Sequence, residues 1–242
     1  MDRLVILSFF SFILLSCSNI NSQDSKKIQN FNPEQFQSSF EKNPGIILDV
    51  RTDQEIKSGI IENASMVDFY DVDFKKKISR IDKSKTVYVY CRSGGRSSKA
   101  AKLLIEQGQF RVINLKGGIM AWKREGYKLS NNNVIIDSNN QKFSLVEFEN
   151  LISKEHMVLV DFHTMWCAPC KKMIPIIDDL EKEYSEDVYI LRIDLDYSEI
   201  LANQFKINSI PTLILFKKEK EIWRGTGFKS REEIVAILEN NL

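Results

Sequence analysis

Histidine is nearly missing from this sequence: His156 and His163 are the only two, too few for a His-rich metal site. Cysteine is scarce as well. Four in 242 residues cannot make a disulfide-stapled scaffold. An excess of either charge is also lacking, since 34 basic and 33 acidic side chains leave a formal net charge of +1. That balance gives no electrostatic reason to expect nucleic acid as a partner. The amino-terminal apolar run from Leu4 to Leu15 is about 12 residues long, too short to cross a hydrocarbon core of roughly 30 Å as a helix. What is present is ordinary globular material, 43% hydrophobic and 28% charged, in a length that fits one large domain or two small ones.

The apolar run follows Arg3 and the amino group, as the h-region of a signal peptide does. It ends in Leu14-Leu15-Ser16-Cys17 and then turns polar through Ser18-Asn19-Ile20-Asn21-Ser22-Gln23-Asp24. A plain signal peptide and a buried hydrophobic helix are the competing readings. The segment resembles a bacterial lipobox, which implies that residues 1–16 are removed and that Cys17 is acylated. Acyl chains contribute about 0.8 kcal/mol per buried methylene. The expectation is therefore a lipid-anchored protein of the bacterial cell envelope, facing the periplasm, with residues 17–30 as a flexible tether.

From residue 31 to 129 short apolar runs alternate with amphipathic stretches. Asn32-Pro33 supplies a cap and a first-turn proline, and Phe36 and Phe40 share one helix face. Ile46–Val50, Val87–Tyr90 and Arg111–Leu115 read as buried strands. Ser97–Gln107 has helical spacing and stops at Gly108. After a polar break at Ser130-Asn131-Asn132-Asn133 and a turn cluster at Asp137-Ser138-Asn139-Asn140, the alternation resumes. It gives helices near 144–153, 170–184, 198–205 and 230–241, and strands at 158–162, 188–194, 212–216 and 221–224. The expected fold is α/β in two domains, residues 31–129 and 134–242, joined across residues 130–141. The first should hold a parallel sheet.

The loop after Val87–Tyr90 reads Cys91-Arg92-Ser93-Gly94-Gly95-Arg96-Ser97 and leads directly into a helix. Such a loop turns backbone N–H groups inward, and the helix dipole adds positive potential. A cysteine at its entrance would be held as thiolate, and Arg92 and Arg96 could bind an anion. A buried cysteine before a glycine turn is the plainer alternative. The segment resembles the rhodanese family, in this loop and in Leu48-Asp49-Val50-Arg51, Glu55, Gly59–Ala64, Leu115-Lys116-Gly117-Gly118 and Ala121-Trp122. The resemblance implies that Cys91 takes a sulfane sulfur from a donor such as thiosulfate. Residues Arg92, Ser93, Gly94, Gly95, Arg96 and Ser97 would form the substrate loop. With four residues between Cys91 and Arg96, the loop is one shorter than in related phosphatases, which favours sulfur over phosphate chemistry. Ile60 stands where that family usually has histidine, and Asn63 where it usually has glycine.

The second motif is Trp166-Cys167-Ala168-Pro169-Cys170. Two cysteines in this spacing at a helix start can form a reversible disulfide, with Cys167 attacking and Cys170 resolving. A zinc half-site and an inert helix start are the alternatives, and no second CxxC supplies further ligands. With Val158–Phe162 before it and Ile210-Pro211-Thr212 after it, the segment resembles thioredoxin over residues 134–242. That implies a thiol–disulfide oxidoreductase acting on client proteins and re-reduced by a membrane thiol donor, with no bound cofactor or metal. Asp161 matches the buried acid that helps move protons. Trp166, Ile210 and Pro211 fall at the substrate groove, Trp166 as an exposed aromatic. Arg192 stands for a usual lysine, His163 for a usual aromatic, and Ala168 for a usual glycine. His163 is read as a partly exposed side chain, Lys75-Lys76-Lys77 as surface, and Ile174, Ile177, Leu180 and Tyr184 as helix core. A second reading keeps only the thioredoxin-like part catalytic, with the rhodanese-like part as a binding or regulatory module.

Overall fold

The computed structural model describes residues 27–131 and 142–242. The leader, Cys17 and most of the joining segment lie outside them. Among the described residues no helix is long and apolar enough to cross a membrane.

The first unit is built on a five-stranded parallel sheet ordered β1-β5-β4-β2-β3. Its strands are β1 (Lys27–Phe31), β2 (Ile46–Asp49), β3 (Ala64–Met66), β4 (Val87–Tyr90) and β5 (Arg111–Leu115). Its helices are α1 (Pro33–Lys42), α2 (Asp53–Ile56), α3 (Phe74–Ser79), α4 (Gly95–Glu106) and α5 (Gly118–Arg124). Parallel sheets are covered on both faces, and the strand sequences show why. Leu48, Val87, Val89 and Val112 fill one side, while Ile47, Tyr88, Tyr90 and Ile113 fill the other. Every β4 side chain is buried as a result.

Two boundaries differ from the sequence reading. Lys27–Asn30 is not tether but forms, with Phe31, an edge strand in register with Arg111–Leu115. An edge strand needs only one partner and little apolar surface, so the polar KIQNF segment hides it from local pattern. Ser130 belongs with the first unit rather than the joining segment, because it exchanges two backbone hydrogen bonds with Ile60, 3.0 and 2.9 Å.

The second unit carries a mixed sheet ordered β7-β6-β8-β9, from β6 (Met157–His163), β7 (Tyr189–Asp194), β8 (Thr212–Lys217) and β9 (Lys220–Thr226). Strand β6 runs parallel to β7 and antiparallel to β8. The helices are α6 (Leu145–Lys154), α7 (Ala168–Glu183), α8 (Glu199–Gln204) and α9 (Arg231–Glu239). Ser144 and Ser230 each cap a helix with a glutamate three residues on, an exchange that satisfies two free N–H groups at once. Ile174, Ile177, Leu180 and Tyr184 are buried along α7. One apolar cluster is continuous between the units, running from Leu48, Val89 and Cys91 through Phe74 and Ile78 to Trp166, Cys167 and Ile210.

Candidate functional site

Strand β4 delivers Cys91 to the carboxyl edge of the first sheet, and α4 begins four residues later. Gly94 caps that helix with φ 100°, a conformation glycine adopts without strain. The turn aims the Gly94 N–H at Cys91 Sγ, 3.1 Å away, and Ser97 Oγ donates to the same sulfur at 3.5 Å. Burial alone would raise the thiol's pKa, but hydrogen bonds from the Ser97 hydroxyl and the Ser97, Gly94 and Ser93 amides outweigh it and lower it. Cys91 is the free cysteine among the described residues. Ser97 is fully buried, so it steadies the sulfur rather than facing solvent, whereas Arg92 and Ser93 are exposed.

Arg96 is less free than its place in the loop suggested. Its guanidinium grips Glu55 at 2.6 and 2.7 Å and lies 5.6 Å from the Tyr70 ring centroid. Glu55 also closes the Thr52 capping box of α2. The Arg96 bond chiefly, with help from Thr52, lowers its pKa from the ordinary 4.5 to about 2. A carboxylate with a depressed folded-state pKa contributes stability above its unfolded pKa and loses it as pH falls toward the folded value. In Glu55→Gln that contribution should be gone, so urea midpoints of variant and parent should converge on acidification below about pH 4.5. Parallel curves down to pH 3 would show that the pair contributes nothing.

The loop is held from below by α5. Ile119 N–H donates to the Cys91 carbonyl at 2.9 Å and Met120 N–H to that of Arg92 at 3.1 Å. Gly118, at φ 57°, allows this approach, since a Cβ there would stand 2.4 Å from the Cys91 carbonyl oxygen. Gly118→Ala should therefore cost roughly 1–3 kcal/mol in backbone strain, read as a lower urea midpoint. An unchanged midpoint would refute the steric argument. Asn63, where the resemblance led one to expect glycine, has φ 61°, the left-handed region that asparagine tolerates better than most residues.

In the second unit β6 runs into Cys167, the amino-terminal cap of α7, whose sulfur accepts the Cys170 N–H at 3.2 Å. Cys167 and Cys170 are joined as a disulfide. Asp161 lies on β6 beside Arg192 of β7, fully buried, and neither carboxylate oxygen has a hydrogen-bond partner among the described residues. Burial raises its pKa, opposed by the charges of His163 and Arg192. Arg192 itself is bonded to Asp178 and to the Ile174 carbonyl. The Ile210–Pro211 peptide is cis. Among the described residues no group of three His, Cys, Asp or Glu side chains is placed to hold a metal ion.

Three exposure expectations are corrected. Trp166 is only 8% exposed: its Nε1–H donates to Asp196 at 3.0 Å and its carbonyl accepts from Met66 of the first unit. His163 is 3% exposed, enclosed at the end of β6 opposite Asp194. Lys76 and Lys77 are not plain surface, since they reach Glu199 and Asp196 across the units at 2.6 and 3.9 Å. Sequence reasoning also missed Ser65, which accepts the Ala168 N–H, and the Arg80–Asp196 pair, whose carboxylate takes the Trp166 indole N–H. No local signal marks them, because the contacts join residues about a hundred positions apart. A cleft of about 780 Å³ runs between the units, with Pro44 and Ser65 on one wall and Pro169 and Pro211 on the other.

Fold and site together define a two-domain α/β protein with a thiol in a strand–loop–helix turn and a CxxC disulfide at a helix start. The thioredoxin family model matches residues 139–240 and the rhodanese-like domain model residues 32–125. Thioredoxin of Chlamydia trachomatis serovar D is 42% identical over 82 residues, covering 34% of this chain and 79% of that protein. Thioredoxin of Chlamydia muridarum is 45% identical with the same coverage. That of Staphylococcus saprophyticus is 37% identical over 84 residues, 35% of this chain and 81% of the relative. The chain belongs to the thioredoxin family, and a rhodanese-like domain precedes its thioredoxin domain.

Proposed function

We propose that the protein is a membrane-anchored thiol–disulfide oxidoreductase whose rhodanese-like domain carries a sulfurtransferase activity at Cys91. The observation that carries the reading is the Cys167–Cys170 disulfide at the start of α7 in a domain of the thioredoxin family. The hydrogen-bonded, pKa-lowered Cys91 thiol supports the second activity.

In the reducing direction, the Cys167 thiolate attacks one sulfur of a client disulfide, and the other client sulfur leaves as thiolate. Cys170, giving its proton to the buried Asp161 in this reading, then attacks Cys167 Sγ. The second client thiolate departs, and two electrons have passed to the client. A thiol donor in the membrane returns them. The Leu14–Cys17 segment supports lipid anchoring at Cys17 and a place in the bacterial envelope facing the periplasm.

At Cys91, the thiolate attacks the outer sulfur of thiosulfate and sulfite leaves with the bonding electrons, giving a persulfide. Reduced Cys167 can take that outer sulfur, returning Cys91 to thiol. Cys170 then expels it as hydrosulfide and closes the disulfide. The test is to incubate reduced protein with thiosulfate and follow intact mass, free sulfide and each cysteine. One added sulfur on Cys91, lost in Cys91→Ser, supports sulfur transfer. Sulfide release with Cys167–Cys170 oxidation supports the joined cycle. No loading of Cys91 favours the binding-module reading of the first domain.

A further inference from the structure

We propose that the rhodanese-like domain is a cap on the redox pair, so that Cys167 meets protein-sized reactants only after the two domains part. The proposal rests on the reading of Cys167–Cys170 as an exchanging pair. Attack on or by a disulfide sulfur requires access to that sulfur. Here Cys167 is 2% and Cys170 1% exposed, and both belong to an apolar cluster shared with Phe74, Ile78 and Cys91 of the first domain.

The cover is specific. The Trp166 carbonyl accepts the Met66 N–H at 3.0 Å, and the Ala168 N–H donates to Ser65 Oγ at 3.0 Å. The Ile210 N–H donates to the Arg80 carbonyl at 3.1 Å. These three groups lie before Cys167, after it, and on the turn across from it. An extended client strand would need such main-chain groups for its own hydrogen bonds, and the first domain holds all three.

A charge latch surrounds them. Arg80 reaches Asp196 at 3.2 Å, Lys77 reaches Asp196 at 3.9 Å, and Lys76 reaches Glu199 at 2.6 Å. The cations come from α3 or its cap and the carboxylates facing them across the domains from the loop and helix after β7, while Lys77 also holds Asp71 of its own domain at 2.7 Å. Asp196 also takes the Trp166 indole N–H, so the latch pulls on the residue beside the nucleophile. The Lys76–Glu199 pair is partly exposed and therefore open to screening by salt. Parting the domains breaks these polar contacts and divides the apolar cluster they share. The cleft beside Pro169 and Pro211 admits a small thiol reagent to the edge of the site, but not a folded protein.

The experiment measures modification of Cys167 in the reduced full chain by a small reagent, iodoacetamide, and by a bulky one, a polyethylene-glycol maleimide. Peptide mass spectrometry assigns the site. Ser65 points out of its own sheet onto Ala168, so Ser65→Arg should prevent docking. It should raise the bulky-reagent rate about tenfold, as expected where roughly a tenth of the molecules are open, and the iodoacetamide rate less. Lys76→Glu should give a smaller gain, and adding Glu199→Lys should restore the slow rate, a rescue that misfolding would not produce. Equal bulky-reagent rates in parent and Ser65→Arg, or no rescue by the charge swap, would overturn the cap. Insulin reduction by the same proteins separates the two ideas. If Ser65→Arg is modified fast yet reduces no insulin, the cap stands and the oxidoreductase reading falls.

Discussion

Cys170→Ser should react once and stop. Cys167 in that variant still attacks a client disulfide, but nothing attacks the mixed disulfide that results, so the client stays covalently bound. Cys167→Ser should not react at all, because a serine hydroxyl at neutral pH is a far weaker nucleophile than a thiolate. Turnover in an insulin-reduction assay should fall to background in both, and only the Cys170 variant should accumulate adducts on a non-reducing gel. The asymmetry follows from position. Cys167 caps α7, where the free N–H groups of the first turn favour a negative sulfur, and it already accepts the Cys170 N–H. Adducts in the Cys167 variant instead would reverse the assignment of attacking and resolving sulfur.

The second large effect concerns stability. Arg51 and Asp49 form a salt bridge at 2.6 Å with side chains 2% and 0% exposed. Arg51 also donates to the carbonyls of Glu55 at 3.2 Å and Gly59 at 2.8 Å, so it ties the α2 turn to the sheet. Arg51→Met removes one partner and strands the other. Breaking a buried pair in this way costs about 3–5 kcal/mol, a large part of the stability of most domains.

The sign of the pH dependence follows. Burial already raises the Asp49 pKa, with Arg51 as the main opposing influence, and without Arg51 it must rise further. The folded variant then binds more protons than its unfolded chain, so its stability increases as pH falls from 7 toward 5. Hydrogen exchange of the β4 amides, which reports the first domain alone, should show a loss that shrinks on acidification. A loss below about 1 kcal/mol, the usual worth of an exposed pair, would mean that the carboxylate finds water.

Much of this was legible from residues alone, and the exceptions share a cause. Val87–Tyr90, Val158–Phe162 and Thr212–Phe216 declare themselves because buried strands are short, mostly apolar runs, and every described helix of the second domain lies within a few residues of its expected place. The two motifs with chemistry stand at the ends of such strands, where loops carry function. Lys27–Phe31 was hidden because an edge strand draws its stability from its partner, and Ala64–Met66 because three residues set no pattern. The burial of Trp166 and His163 was out of reach for a related reason. A side chain's exposure depends on what docks over it, and Met66 meets Trp166 from a hundred residues away. The same distance hid Ser65 and Arg80, whose roles here come from the other domain.

The edge strand β1 also sets a leash. Lys27 is paired with Arg111 in the sheet, so under the lipid anchoring proposed at Cys17 only residues 18–26 separate anchor from fold. Nine residues at 3.3–3.6 Å each reach at most roughly 30 Å. That reach would bound how far the folded part stands from its anchor, and inserting residues after Asp24 should change which clients are met without altering either active site.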